Sequence, residues 1–165
     1  MSCLGVLFSL DKNVVDHLKS FSDDEERLDY LQGDIEEVYF EEHPEWVCEL
    51  DKAWDAIHRT LTDGNLEWKN GEYPLNHFIL GGEILYSQDD YIMTLKSPQQ
   101  VNDICNALAS ITVGLFKEKY SQIRKEVYET SDEDLEYSWE WFDQSRDFWK
   151  RAAADRRYVL FTADQ

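Results

Sequence analysis

EWVCELDKAWDAIHRTLTDG, residues 45–64, is the stretch whose reading decides the fold. From Val47 onward its apolar residues Val47, Leu50, Trp54, Ile57 and Leu61 recur at steps of three and four, with Trp46 just ahead. That is the period of one helix face. Glu45, Glu49, Asp51, Lys52, Asp55 and Arg59 take the remaining positions and keep the other side wet. Asp63-Gly64 follows, and a glycine just past the last apolar residue stops a helix because it tolerates a left-handed φ. The spacing predicts a single amphipathic helix from Trp46 to the Gly64 stop. A face with two tryptophans and four aliphatics is wide enough to anchor a core.

Working outward, Cys3 to Leu10 is a short apolar run rich in Val and Phe, suited to a buried strand. Val14, Val15 and Leu18 predict a short helix reaching Ser20. Ser22-Asp23-Asp24-Glu25 has the Ser-x-x-Glu capping pattern for another, with Gly33 as its end. Ile35 to Phe40 fits neither period, and His43-Pro44 breaks the chain before the central helix. From Asn65 to Asp90 no regular period survives, as in loops that are functional or mobile. Tyr91 to Lys96 reads as a strand with Tyr91, Met93 and Leu95 on one side. Ser97-Pro98-Gln99-Gln100 is a capping box with proline at the first helical position, and Val101, Ile104, Cys105, Leu108 and Ile111 form the buried face. Gly114 interrupts before a further amphipathic run from Leu115 to Val127. A last helix starts at Ser131, its acidic first turn on the positive end of the dipole, and Tyr158 to Thr162 closes the chain as a strand. Strands at both ends and in the middle, with helices between, predict a small layered α/β domain.

The 165 residues are enough for one domain with a sizeable core. Their formal charge of −19 disfavours nucleic acid and anionic membrane surfaces. A basic partner would be drawn in, faster at low salt. Plain solubility is the competing use of that charge. Six Trp, nine Tyr and eight Phe exceed what packing alone demands and leave some for a partner. Cys3, Cys48 and Cys105 are odd in number and scattered, which speaks against a disulfide framework and for a reducing compartment. With no basic leader and no run approaching the ~20 apolar residues of a membrane span, a cytoplasmic protein is expected.

Leu50-Asp51-Lys52-Ala53-Trp54, followed by Ile57-His58 and Leu61-Thr62, begins a pattern that continues through Pro74-Leu75 and Ile79-Leu80-Gly81-Gly82-Glu83 to Ser97-Pro98 and Val101. In this order the sequence resembles the YfbM-like family of small bacterial proteins. The matches span the middle half of the chain. The resemblance implies an α/β fold over residues 1–165, three layers of helix, sheet and helix around a small mixed sheet. It brings no agreed reaction and no catalytic residue. Two departures are visible: no Tyr-Pro pair stands near Tyr128, and the Arg156-Arg157 turn lacks a glycine.

Asp51, Trp54 and His58 fall at i, i+3 and i+7, on one side of the central helix. An Asp/His acid–base pair with a ligand stacked on Trp54 is one reading, His77 and Glu83 closing over it from the irregular loop. The plainer reading makes Trp54 core, Asp51 a local polar contact and His58 a hydrogen-bonded helix residue. His17, His43, His58 and His77 form no metal-ligand spacing, and Gly81-Gly82 lacks the lysine of a phosphate loop. No metal and no cofactor is expected. Two acidic blocks remain. One holds Asp23 to Glu26, Glu36-Glu37 and Glu41-Glu42; the other holds Glu129, Asp132, Glu133, Asp134, Glu136 and Glu140, interleaved with Tyr137 and Trp141. Carboxylates for steering and aromatics for anchoring suit a non-enzymatic protein-binding module. Its most concrete form is an immunity-type inhibitor plugging the active site of a basic toxin, such as a nuclease. Asp132, Glu133, Asp134, Glu136, Tyr137, Glu140 and Trp141 are its expected contact residues. The alternative is a small-ligand protein or enzyme built on Asp51, Trp54, His58, His77 and Glu83.

Overall fold

Strands from the two ends of the chain lie side by side at the centre of the computed structural model, which describes residues 3–86, 88 and 90–164. β1 (Gly5–Leu10) pairs with β5 (Tyr158–Asp164); β2 (Val47–Asp51) flanks β1, β4 (Tyr91–Lys96) flanks β5, and the two-residue β3 (Glu83–Ile84) closes the far edge. The five-stranded order is β2-β1-β5-β4-β3, and every pairing is antiparallel rather than mixed. Alternation along the strands sorts side chains between two cores. Leu7, Ile92, Val159, Phe161 and Ala163 face one; Phe8, Leu10, Met93, Leu95 and Leu160 face the other.

Helices cover both faces, which makes three layers. The first core is roofed by α4 (Trp54–Leu61), α5 (Pro98–Leu108), α6 (Val113–Ser121), α7 (Asp132–Gln144) and α8 (Arg146–Ala154). α1 (Lys12–Ser20), α2 (Asp24–Tyr30) and α3 (Glu37–Glu42) cover the second. The expected caps are in place at Ser97, with its full capping box, and at Ser131. Among the described residues no helix is long and apolar enough to cross a membrane.

The central stretch is not one helix. Residues 47–51 are strand β2, Ala53 N–H turns back to the Leu50 carbonyl at 3.0 Å, and only Trp54–Leu61 is helical. β1 needs a partner on its outer side, and Val47, Cys48 and Glu49 satisfy it. A strand reading also suits the side chains: Cys48 and Leu50 pack on one core and Val47 on the other. Long-range pairing overrides the local period here. The helical half behaves as read, with Trp54, Ile57 and Leu61 buried and Gly64 at φ 95° beyond the end.

Gly33 does not end the second helix. Asp23 rather than Ser22 caps α2, and a π-helical segment, Leu31–Glu36, carries the chain through Gly33 into α3. Leu31, Ile35 and Tyr39, at i, i+4 and i+8, are buried, while Gly33 faces open space and imposes no conformation. Gly114 lies inside α6, capped by Thr112, and Ile123 and Val127 fall beyond its end. The last helix is two, α7 and α8, divided at the buried Ser145. The irregular stretch from Asn65 holds only a short 3-10 turn and β3; residues 87 and 89 of it lie outside the described ones.

Candidate functional site

Antiparallel register gathers four strand ends at one rim of the sheet. Gly5 of β1 lies opposite both Asp51 and Ala163, and Tyr91 lies opposite Asp164. A recess of about 300 Å³ opens there, with Glu49, Asp51, Tyr91, Thr162 and Asp164 supplied by the strands. Gln32, Glu36 and Phe40 reach it from above at i, i+4 and i+8 of the helix containing the π-helical segment, and Trp141 enters from α7. Wide π turns recur at functional sites because they re-aim side chains that a regular helix would place elsewhere. Leu4 and Phe40 stand at the recess 42% exposed each.

Four carboxylates, Glu36, Glu49, Asp51 and Asp164, therefore meet apolar and aromatic surface in one concavity. Burial raises the pKa of the Glu36 carboxyl; a hydrogen bond from Tyr91, 3.2 Å from Oε1, opposes the rise and the charge of Asp164 adds to it. Burial likewise pushes the Tyr91 phenol up, reinforced by Glu36, while the Thr162 hydroxyl pulls it down. A cation entering the recess would oppose that rise and hold the Glu36 carboxylate ionised. Asp51 takes φ 50°, a left-handed conformation seldom adopted by residues other than glycine, at the point where the strand turns into α4.

The expected contact residues on α7 divide by role. Asp132, Glu133, Glu136 and Glu140 are exposed. Trp141 lines the recess and packs edge-on to Tyr137 at 6.4 Å. The Tyr137 hydroxyl accepts the Lys52 N–H at 3.1 Å and hydrogen-bonds Asp51, which ties α7 to the end of β2. Asp134 is a structural acceptor instead: Tyr120 and Tyr128 hydroxyls both donate to Oδ2, at 2.6 and 2.9 Å.

Of the five residues expected around a ligand pocket, only Asp51 lines the recess. Trp54 is 5% exposed, its indole N–H donating to the Cys3 carbonyl at 2.7 Å. Its ring lies so close to Gly5 that a Cβ there would come within 2.7 Å of it. His58 is buried in α4, its Nε2 facing Asn70 Oδ1 at 2.8 Å and the Glu67 carbonyl at 3.1 Å. Burial lowers its pKa, and those two acceptors oppose the shift. His77 packs edge-on to Tyr73, and Glu83 is exposed and paired with Lys19 at 3.0 Å. The i, i+3, i+7 spacing fails because Asp51 is on a strand.

Glu49, Asp164, Leu4, Phe40 and Tyr91 were not legible as a group. The alternation of Glu49 and Asp51 about a buried Leu50 is the signal that marks them as strand neighbours. Among the described residues no cluster of His, Cys, Asp or Glu is arranged to hold a metal ion.

A search of curated proteins found no match. Among solved structures, the chain is similar to YfbM from Escherichia coli, a protein of unknown function, with a TM-score of 0.68 and 19% identity over 97% of this chain and 99% of that one. At that identity the likeness shows the shared fold. A model of the domain of unknown function DUF1877 matches residues 1–162, and the chain belongs to that family.

Proposed function

We propose that this protein is a non-enzymatic acidic binding module that seats a cationic side chain of a basic protein in the recess at the rim of its sheet. The observation that carries this reading is the convergence of Glu36, Glu49, Asp51 and Asp164 with Leu4, Phe40 and Trp141 around about 300 Å³. The space suits one long side chain: carboxylates hold its charged head and aromatic surface covers its stem. Charge-assisted hydrogen bonds of about 1.5–3 kcal/mol each favour a buried guanidinium. The exposed acids of α7, beside Trp141, extend the same surface and speed encounter through the −19 field. An immunity-type inhibitor that plugs a basic toxin, for example a nuclease with a phosphate-shaped cleft, is the most concrete form of this function.

The test is a titration of the labelled protein with N-acetylarginine amide, followed by amide and indole resonances. Shifts confined to Gly5, Phe40 and Trp141, lost at high salt and in Glu49→Lys, are expected. Uniform or absent shifts would remove the recess as the seat. Low-salt capture of a basic protein by wild type but not by Glu49→Lys would then identify the partner; equal capture by both would overturn the reading.

A further inference from the structure

Lys96, the last residue of β4, is wholly buried, and no acid pairs with it among the described residues. Its Nζ donates to the Ile79 carbonyl at 2.5 Å and to Thr94 Oγ1 at 2.7 Å; the Thr94 carbonyl is a distant third at 3.4 Å. The Thr94 hydroxyl itself donates to Ile79 O at 2.9 Å. All three acceptors are neutral oxygens, so nothing in this cradle balances a positive charge. Phe161 of β5 presents its ring 5.6 Å away.

The groups that face this amine are basic. From α4 comes His58, whose Nε2 carries the proton because both atoms before it are acceptors. Asn70 Nδ2 is itself committed as a donor to Thr62, Asp63 and Asn65, which fixes that orientation. His58 Nδ1 is left buried without a partner. From the 3-10 turn comes His77; burial lowers the pKa of both imidazoles, and a charge on Lys96 would lower them further. The nearest acid on α4, Asp55, is held by Arg59 at 2.6 Å. Burial drives the Lys96 amine well below the ordinary lysine range.

What Lys96 holds is an irregular connection. Gly81 N–H returns to the Asn76 carbonyl at 3.0 Å, and Gly82, at φ 118°, lies flat against the Leu95 carbonyl with no room for a Cβ. β4 is hydrogen-bonded on both sides, whereas residues 76–82 are not part of any strand. Phe78 and Ile79 within that stretch are wholly buried in the first core, so its release exposes apolar surface and is a cooperative opening.

We propose that Lys96 is a pH-operated latch: its uncharged amine clasps the Ile79 carbonyl and holds residues 76–82 on β4, and taking up a proton releases them. A buried ammonium beside two imidazoles has no counter-charge and must reach water, so protonation and opening are one event. The proton comes from solvent and stays on Nζ while the segment is open. This latch is independent of the acidic recess.

Amide hydrogen exchange between about pH 6 and 10 tests it, with the chemical exchange rate divided out. The opening constant at Ile79, Leu80 and Gly81 is expected to rise about tenfold for each unit the pH falls below the ordinary lysine range near 10.4, levelling once the closed amine titrates. Amides in β1 and β5 are expected not to follow. Lys96→Met is expected to remove the slope. A flat opening constant in the wild type, or an unchanged slope in Lys96→Met, overturns the latch. Should that variant not fold, the wild-type Lys96 Cε resonance decides: a midpoint well below the other lysines supports the latch, and one among them overturns it.

Discussion

The Tyr91 hydroxyl donates to Glu36 Oε1 across the acidic recess, 3.2 Å away, joining the strand β4 to the π-helical segment. Glu36 is held there with a raised pKa, chiefly by burial. Its folded form binds a proton more readily than the unfolded chain, whose Glu pKa is about 4.3. The stability it contributes is therefore full below that value and is lost as pH rises through the folded pKa. Glu36→Gln keeps an acceptor for Tyr91 and removes the penalty. In urea the variant is expected to be more stable than wild type at pH 7, with the difference gone at about pH 4. A wild type that is the more stable of the two at pH 7 would contradict the assignment.

Asp134 and its neighbours on α7 are expected to separate in a stability screen. Asp134 accepts from two tyrosine hydroxyls, and Asp134→Asn should cost about 1.5–3 kcal/mol, as charge-assisted hydrogen bonds do. Glu136→Lys and Glu140→Lys, on exposed positions, should stay within about 0.5 kcal/mol. Their effect should appear instead as slower association with a basic partner at low salt. Urea midpoints and on-rates check the two halves.

Asn70 organises the turn after α4 through His58 on one side and Thr62, Asp63 and Asn65 on the other. Asn70→Ala removes one acceptor of the buried imidazole and should destabilise by about 1–3 kcal/mol. Because burial lowers the His58 pKa, stability it supports is present above the unfolded value near 6.5 and falls as pH drops through the window below it. His58→Leu should lack that slope in urea titrations run from neutral to mildly acidic pH.

Arg156 sits at φ 54°, just before β5. A left-handed conformation costs an L-residue roughly 1–2 kcal/mol, and glycine gives back part of that in unfolded-chain entropy. Arg156→Gly should stabilise by about 0.5–1 kcal/mol in thermal unfolding. A loss of stability would show that the arginine side chain offsets its own backbone strain.

That position illustrates what was readable in the sequence. The absent glycine at Arg156-Arg157 flagged a turn, yet nothing there announced that an arginine would take the glycine's conformation. The strands at both termini and at Tyr91 to Lys96, and the capped starts at Ser97 and Ser131, follow from local pattern and hold. The error in the central stretch has a non-local cause. Val47 to Asp51 carries a helix period by accident of Leu50 and Trp54, and only the unpaired side of β1, 43 residues earlier in the chain by the Val6–Glu49 register, decides for strand. The recess inherits that difficulty. Glu36, Glu49, Asp51 and Asp164 lie on three elements, and only sheet register together with the packing of the π-helical segment makes them neighbours. Lys96 was hidden differently, as a charge ending a strand that looked ready to leave the sheet.

β5 starts just after Arg156-Arg157 and ends at Asp164, on the rim of the recess. Along its seven residues, roughly 20 Å at about 3.4 Å per step, the chain passes from guanidinium to carboxylate. Lys150 and Arg151 of α8 precede the basic end. Asp155 stands beside those bases, so the contrast along β5 is a local one laid over the net charge of −19. A cation near the sheet is drawn toward the rim end of β5, an alignment set by the four carboxylates gathered there. At physiological salt, with a screening length of about 8 Å, that alignment acts over the last nanometre of approach.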